Sequence, residues 1–233
     1  PCLANTTYIT ERRSMTKPLY VFDLDETLIK ADSAMIWNEF LVEKGIVDDA
    51  SFLTEDQRLM ALYSQGKLDM DDYLKFAMAP ITHLSLGDVE KLVNECVDKW
   101  IAPKQFQQSI PLLEQLNKQG VDTLIISATV SFIVQAVAQH LGVEQSMGIE
   151  LVTEDDRYTA KVSGVPSYRE GKVTRLEQWL SARDETYSEI HFYTDSINDL
   201  PLCERADYAY LVNPCPRLKA IADRPNWTIL HWD

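Results

Sequence analysis

The chain has 233 residues, of which 45% are hydrophobic and 25% charged, and its formal net charge is −14. These proportions are typical of a folded globular protein, long enough for one large α/β domain or a core domain with a smaller insertion. Nucleic acids and anionic membrane surfaces repel such a charge, so neither is an expected partner. No apolar run approaches the roughly 18 residues that span a bilayer.

Residues 1–14 are polar, and we expect them to be a disordered or artificial extension of the folded chain.

The four cysteines show neither a CxxC pattern nor the spacing of a zinc site with histidine. This pattern is typical of reduced thiols and therefore of a cytoplasmic protein.

Short apolar runs alternate with amphipathic stretches along most of the chain, which predicts parallel βαβ units in a Rossmann-like α/β sheet. The predicted strands are residues 19–23, 122–127, 190–194, 208–212 and 227–231. The predicted helices are residues 110–119, 130–141, 172–183, 200–206 and 217–222. The turn residues 154–157 predict a hairpin between strands 148–153 and 158–162.

One segment, residues 33–104, lacks a convincing strand and is too long for a simple crossover. Its periodicity predicts helices at residues 34–44, 54–63, 70–78 and 87–100. We therefore predict an α-helical cap over residues 33–104, inserted into a catalytic core of residues 15–32 and 105–233.

Acidic residues follow two of the predicted strands. Asp23 and Asp25 come after the first strand, and Asp195 and Asp199 come after the strand 190–194. Ligand sites of open α/β sheets lie at the carboxyl ends of strands, and buried paired acids are costly without a cation. Each pair alone is equally compatible with a solvated turn or a helix cap.

A hydroxyl and a lysine complete the pattern. Ser127 ends a buried strand before a helix, where its hydroxyl and free main-chain amides suit an anionic oxygen. Lys172 lies at a helix start, where the helix dipole disfavours a cation. Taken singly, Ser127 is an ordinary helix cap and Lys172 an ordinary surface residue.

Together, and in this order, these residues resemble the four motifs of the haloacid dehalogenase superfamily. Asp23-Leu24-Asp25-Glu26-Thr27 resembles the first motif, Ser127 the second, Lys172 the third, and Asp195-Ser196-Ile197-Asn198-Asp199 the fourth. The resemblance covers residues 19–233, because this superfamily also places a small helical cap between its first two motifs.

Within the superfamily the chain resembles the phosphoserine-phosphatase-like branch, subfamily IB. The stretch Tyr168-Arg169-Glu170-Gly171-Lys172-Val173 and the tail Val212-Asn213-Pro214 carry this resemblance. The chain departs from the branch at two positions. Thr194 stands where glycine is common, and Asp32 stands where the phosphoserine enzymes have the longer glutamate. No basic residue aligns with the one that binds the serine carboxylate, and Arg58 is the nearest candidate.

The resemblance implies the roles of the acidic residues. Asp23 is the expected nucleophile that forms an aspartyl-phosphate, and Asp25 the expected general acid and base. Mg²⁺ is the expected cofactor, held by Asp23, the main-chain carbonyl of Asp25, and Asp195, with Asp199 acting through water or by orienting a neighbour.

The resemblance also implies contacts to the substrate. Ser127 and Lys172 are expected to hold phosphoryl oxygens, with Thr27 and Asn198 as further phosphate or substrate contacts. Asp32, nine residues after the nucleophile, is expected to face the leaving group. A helix cap at the start of the insertion is the alternative role for Asp32.

We therefore predict a Mg²⁺-dependent phosphomonoesterase that acts on a small phosphorylated metabolite as a monomer or homodimer. A phosphotransferase or phosphomutase with the same aspartyl-phosphate chemistry is the main alternative, and a non-catalytic binding module is another. A dehalogenase of this fold does not need the second acid, so Asp25 argues against that activity.

Overall fold

The computed structural model describes residues 16–233, and the expected extension over residues 1–14 lies outside the described residues. The strands are β1 (Lys17–Phe22), β2 (Asp122–Val130), β3 (Gln145–Ile149), β4 (Leu151–Glu154), β5 (Arg157–Val162), β6 (Tyr187–Thr194), β7 (Tyr208–Val212) and β8 (Trp227–Leu230). Six of them form a parallel sheet in the order β3-β2-β1-β6-β7-β8, and β4 and β5 form an antiparallel hairpin.

Helices fill the connections between these strands. Four of them lie between β1 and β2, namely α1 (Ser33–Glu43), α2 (Phe52–Ser64), α3 (Met70–Met78) and α4 (Leu86–Cys96). The others are α5 (Ser109–Lys118), α6 (Ser131–Leu141), α7 (Glu170–Ser181), α8 (Leu200–Arg205) and α9 (Pro216–Lys219). Within residues 16–233, no helix is both long and apolar enough to cross a membrane.

The sheet is covered on both faces, as the apolar character of its strands predicts. Side chains alternate between faces along β1. Leu19 and Val21 pack in one cluster with Leu176 of α7, whereas Phe22 packs on the other face in a cluster that includes Phe40 of α1. The insertion between β1 and β2 therefore shares a hydrophobic core with one face of the sheet.

The chain enters and leaves this insertion at one place. The main-chain N–H of Lys30 donates to the carbonyl of Lys104 (2.7 Å), and that of Phe106 donates to the carbonyl of Leu28 (2.9 Å). The two linkers thus lie side by side next to the carboxyl end of β1. The division into a cap over residues 33–104 and a core stays a prediction.

The hairpin predicted across the turn 154–157 is present as β4 and β5, but the predicted bounds of its first strand, 148–153, are wrong, because the chain breaks at Glu150. Gly148 belongs to β3 and lies so close to β2 that an added Cβ would sit 2.6 Å from the carbonyl oxygen of Thr129. After Glu150 the chain leaves the sheet, and β4 pairs with β5 instead. The chain therefore changes its pairing partner from β2 to β5 at Glu150, and local sequence does not display this change.

Other elements keep their type and shift their ends. Strand β2 continues three residues past Ser127, to Val130. The helix predicted to reach residue 100 ends at Cys96 and continues as a π-helical turn, Val97–Ile101. The predicted α-helix 217–222 is limited to Pro216–Lys219.

Candidate active site

The register of the sheet brings the polar strand ends together. Phe22 of β1 pairs with Ile125 on one side and Tyr193 on the other. The main-chain N–H of Asp23 then donates to the carbonyl of Tyr193 (2.9 Å). Asp23 therefore lies between the carboxyl ends of β2 and β6, which carry the other motif residues.

Asp23 and Lys172 form a buried ion pair. Asp23 Oδ1 accepts hydrogen bonds from the main-chain N–H of Leu24 (2.8 Å) and from Lys172 Nζ (3.0 Å). Lys172 is 1% exposed and also lies 2.8–2.9 Å from Asp199. Burial opposes the charge of Lys172, but Asp199 and Asp23 outweigh it, so the pKa of Lys172 lies above its ordinary value.

Two threonines hold the acids that follow β6. The hydroxyl of Thr194 donates to Asp199 Oδ2 (2.7 Å), so the departure from glycine at this position supplies a hydrogen bond. The hydroxyl of Thr27 donates to Asp195 Oδ1 (3.2 Å), and Thr27 is fully buried. Thr27 was expected to contact the substrate. In the structure it instead holds Asp195, a predicted metal ligand.

Asp25 is fixed by both of its oxygens. Oδ1 accepts from the main-chain N–H of Ser33 at the start of α1 (2.7 Å), and Oδ2 accepts from the hydroxyl of Thr129 (2.8 Å). Burial raises the pKa of Asp25 above its usual range, and the hydrogen bonds from Ser33 and Thr129 oppose the rise. A carboxyl group with a raised pKa is suited to donate a proton near neutral pH.

Close backbone packing at Gly171 positions the neighbouring Lys172 in the site. An added Cβ at Gly171 would lie 1.9 Å from the carbonyl oxygen of Pro166, so no larger residue fits at the start of α7. The residue after Pro166, Ser167, donates its hydroxyl to the carbonyl of Ser127. The Ser127 hydroxyl itself accepts from the N–H of Thr129 (3.1 Å).

The charges around Asp23 fit a divalent cation. Burial, followed by the charge of Asp199, raises the pKa of Asp195 to about 7. Burial also raises the pKa of Asp23, with Lys172 opposing and the neighbouring carboxylates adding to the rise. One buried lysine therefore does not balance the negative charge of the four acids, Asp23, Asp25, Asp195 and Asp199. Carboxylate oxygens are the donors that Mg²⁺ prefers.

Across residues 16–233, no three His, Cys, Asp or Glu side chains are grouped as a ready-made metal site. The predicted direct ligands are two carboxylates, of Asp23 and Asp195, and the main-chain carbonyl of Asp25. Asp199, predicted to act through water or by orienting a neighbour, contacts Lys172 and Thr194. The donor chemistry therefore fits Mg²⁺ with two side chains and one backbone oxygen.

A cavity extends from these acids into the helical insertion and holds about 840 Å³ of space free of protein atoms, part of it open to solvent. Its floor is formed by Asp23, Asp25, Asp195 and Ser127. Its upper walls include Trp37, Tyr63 and Phe132. None of the described residues that line it is a lysine or an arginine. Arg58, the candidate for a substrate carboxylate, is exposed on α2 and pairs with Glu55 instead.

Asp32 caps a helix, as the alternative role predicts, and it also lies at the cavity. Its Oδ1 accepts from the N–H of Met35 (2.9 Å) and caps α1, and the residue also lines the cavity. Burial, followed by the charge of Asp25, raises the pKa of Asp32 to about 8. A cationic group of a ligand would stabilise its charged form.

The sequence did not predict a role for Thr129. It lies two residues after Ser127, and alternate residues of a strand share one face, so this spacing was the available signal. Asn198, in contrast, was predicted to contact phosphate. In the structure its side-chain nitrogen donates to the carbonyl of Tyr63 on α2 (2.9 Å).

Comparison with known proteins agrees with this geometry. The family model of the haloacid dehalogenase-like hydrolases matches residues 20–204. The chain belongs to this family. A histidinol-phosphatase from Neisseria meningitidis is 37% identical to this haloacid dehalogenase-like hydrolase over 220 residues, which cover 93% of the chain and 99% of that protein. Phosphoserine phosphatase SerB1 of Mycobacterium tuberculosis is 24% identical over 89% of the chain and 68% of that protein.

Solved structures share the fold. A protein of unknown function from Bordetella pertussis Tohama I has a TM-score of 0.84 and 30% identity, covering 92% of this hydrolase and 98% of that chain. A substrate-bound phosphoserine phosphatase has a TM-score of 0.66 and 19% identity, covering 92% of each chain. The predicted α/β fold, the family and the assignment as a phosphatase are therefore confirmed.

Proposed function

We propose that this hydrolase is a Mg²⁺-dependent phosphomonoesterase that acts through an aspartyl-phosphate on Asp23. The fixed carboxylate of Asp23 carries this proposal. Two hydrogen bonds hold Oδ1, from Leu24 and Lys172, so Oδ2 is the oxygen available to attack phosphorus. Mg²⁺, held by Asp23, Asp195 and the carbonyl of Asp25, would offset the charge of the phosphoryl oxygens.

Asp25 supplies the proton transfers in this proposal. As Asp23 Oδ2 bonds to phosphorus and the ester P–O bond breaks, Asp25 donates its proton to the leaving alcohol. In the second step Asp25 takes a proton from water as the water oxygen bonds to phosphorus and Asp23 is released. Hydrogen bonds from Ser33 and Thr129 keep the carboxyl group in place for both steps.

Ser127 and Lys172 support the phosphoryl group. Lys172 Nζ lies 3.0 Å from Asp23 Oδ1, so it is adjacent to the attacking carboxylate. Ser127 lines the floor of the cavity beside Asp23. A hydroxyl and an ammonium at these positions bind the oxygens whose charge grows during transfer. Asp199 holds the lysine in place from behind.

The cavity favours the phosphate ester of an amino alcohol. Asp32 and Glu26 line it, and no described lining residue is a lysine or arginine. Such walls suit an ammonium group and offer no cation for a carboxylate, which serine carries and histidinol lacks. A histidinol-phosphatase is 37% identical to this hydrolase over 93% of the chain. Histidinol phosphate is therefore the first candidate substrate.

The test is a comparison of kcat/KM for histidinol phosphate, phosphoserine, ethanolamine phosphate and p-nitrophenyl phosphate with Mg²⁺. We expect histidinol phosphate to be the best substrate and phosphoserine to be poor. Equal or better turnover of phosphoserine would contradict the proposal that the cavity offers no cation for a substrate carboxylate. Transfer of phosphate to an added alcohol in place of water would favour the phosphotransferase alternative.

We also propose a cytoplasmic location. The three cysteines within residues 16–233 are free thiols, and two of them are buried. Unpaired thiols are typical of proteins in a reducing compartment.

A further inference from the structure

The end of the cavity that the insertion forms carries polar groups among aromatic and methionine side chains. Asn38 of α1 and Tyr73 of α3 line this end. They are 1% and 7% exposed, and Asp56 of α2, beside them, is 1% exposed. Three polar side chains from three different helices are thus buried in one place inside the insertion.

These groups lack partners within the described chain, residues 16–233. Both polar atoms of the Asn38 side chain, the Tyr73 hydroxyl and Asp56 Oδ1 make no hydrogen bond there. Burial raises the pKa of Asp56 and of Tyr73, and hydrogen bonding to the Asn38 side chain opposes the rise in both, so Asn38 lies next to each of them. None of these contacts has the geometry of a fully formed hydrogen bond. Buried polar groups are rarely left unpaired in proteins, so each such group calls for a physical explanation.

The walls around this cluster suit a flat ring. Trp37 and Phe132 meet edge to face with ring centroids 6.0 Å apart, and both line the cavity. Met60, Met70 and Met78 line it too, and methionine adapts its shape to a bound group. A planar heterocycle would fill such a space by apolar contact and leave its ring nitrogens for the polar groups.

We propose that Asn38 and Tyr73, backed by Asp56, form a leaving-group subsite that binds an N–H-bearing heterocycle. This inference rests on the proposed phosphomonoesterase function. The Asn38 amide and the Tyr73 hydroxyl can each donate and accept. An azole ring presents one N–H and one nitrogen lone pair. The N–H can donate to one of these two side chains, and the lone pair can accept from the other. Asp56 is a positioning residue that orients the Asn38 amide.

Asp32 connects this subsite to the reaction centre. Asp32 lines the same cavity as Asp23 and Asn38, and it caps the helix α1 that carries Asn38. A substrate with phosphate at Asp23, an ammonium at Asp32 and a ring at Asn38 would therefore meet a matching group at each point. Histidinol phosphate has these three groups, and ethanolamine phosphate has only the first two.

Stability and specificity should respond in opposite directions to Asn38→Leu and Tyr73→Phe. Both changes keep the approximate shape and remove unpaired polar groups, so we expect the melting temperature to stay the same or rise. We expect kcat/KM for histidinol phosphate to fall at least tenfold, mainly through KM. Ethanolamine phosphate and p-nitrophenyl phosphate should change less than twofold.

Asp56→Asn tests the positioning role, with Asp72→Asn as its matched control. Asp72 lies on the same insertion with its side chain 73% exposed. We expect Asp56→Asn to raise KM for histidinol phosphate several-fold while kcat and the other two substrates change little. Asp72→Asn should leave all three substrates unchanged. A change in kcat of Asp56→Asn for every substrate would overturn the positioning role.

Binding of histidinol, which carries no phosphate, separates this proposal from the proposed function. Calorimetry should detect histidinol binding to the wild-type protein and a loss of at least tenfold in Asn38→Leu. That result supports the subsite even if no phosphate ester is hydrolysed, which would refute only the proposed function. Absence of histidinol binding to the wild type overturns the subsite. The subsite is also overturned if Asn38→Leu and Tyr73→Phe lower kcat/KM equally for all three substrates and lower the melting temperature. That result would indicate a structural role for these residues.

Discussion

The side-chain nitrogen of Asn198 donates a 2.9 Å hydrogen bond to the main-chain oxygen of Tyr63. Asn198 follows β6, between the acids Asp195 and Asp199, whereas Tyr63 lies in the last turn of α2. Arg217 of α9 donates to the carbonyl of Gln65, two residues after Tyr63 (3.1 Å). The core therefore holds the insertion at the end of α2, away from the linkers that join the two.

We expect Asn198→Ala to loosen this contact and to raise KM several-fold. Hydrogen exchange at residues 63–67 should become faster, because the end of α2 loses a partner. Arg217→Ala is the matched variant, since it breaks a similar contact outside the acidic cluster, and it should show the faster exchange. If Asn198→Ala instead weakens inhibition by inorganic phosphate without changing exchange, Asn198 is the phosphate contact that the motif predicts.

Asp23→Asn should lower kcat at least a thousandfold, because an amide cannot act as the nucleophile. The protein should remain folded, since Lys172 keeps its contact with Asp199 and the repulsion among the acids decreases. Circular dichroism and steady-state kinetics measure the two effects. The exposed Asp48→Asn is the control and should be fully active. Retention of more than about one per cent of activity by Asp23→Asn would show that Asp23 is not the nucleophile.

Activity should require Mg²⁺ and should be inhibited by Ca²⁺. Ca²⁺ takes more oxygen ligands at longer distances, so it would draw both oxygens of Asp23 into coordination and remove the attacking group. Dialysis against EDTA, followed by titration with each cation, measures this dependence. Mg²⁺ should also raise the melting temperature of the wild type, and raise that of Asp195→Asn less. Full activity in excess EDTA would contradict the proposal.

Asp32→Asn should separate the two roles of Asp32. Asparagine caps a helix nearly as well as aspartate, so the bond to Met35 and the stability should persist. The loss of charge should lower kcat/KM for ethanolamine phosphate about tenfold, and change it little for p-nitrophenyl phosphate, which has no ammonium. An equal effect on both substrates would mean that Asp32 does not recognise the ammonium.

Thr129→Val should weaken the acid step, because it removes the hydrogen bond to Asp25 Oδ2. Alkyl phosphates need a proton on the leaving oxygen, whereas p-nitrophenolate leaves readily without one. We therefore expect kcat to fall about tenfold for histidinol phosphate and less than threefold for p-nitrophenyl phosphate. Uniform loss across both substrates would place Thr129 in the phosphate site and not beside the general acid.

The sequence by itself determined five of the six strands of the parallel sheet, the helices between them and the acids at its edge, but not β3. Apolar runs and their spacing are local properties, so they predicted β7 at residues 208–212 and α3 at residues 70–78 with the observed bounds. Asp69 caps α3 through the N–H of Asp72, a contact that spans three residues. The motif residues Asp23 and Lys172 were likewise found from spacing and resemblance.

Only the tertiary structure decided the contacts between residues remote in the chain. Thr129 and Asp25 are 104 positions apart, and Asn198 and Tyr63 are 135 apart. Strand register and the placement of α2 bring these pairs together, and neither follows from local periodicity. The same holds for the break at Glu150, where the chain changes its pairing partner from β2 to β5. Local free energies fix the elements, whereas packing between elements fixes which side chains meet.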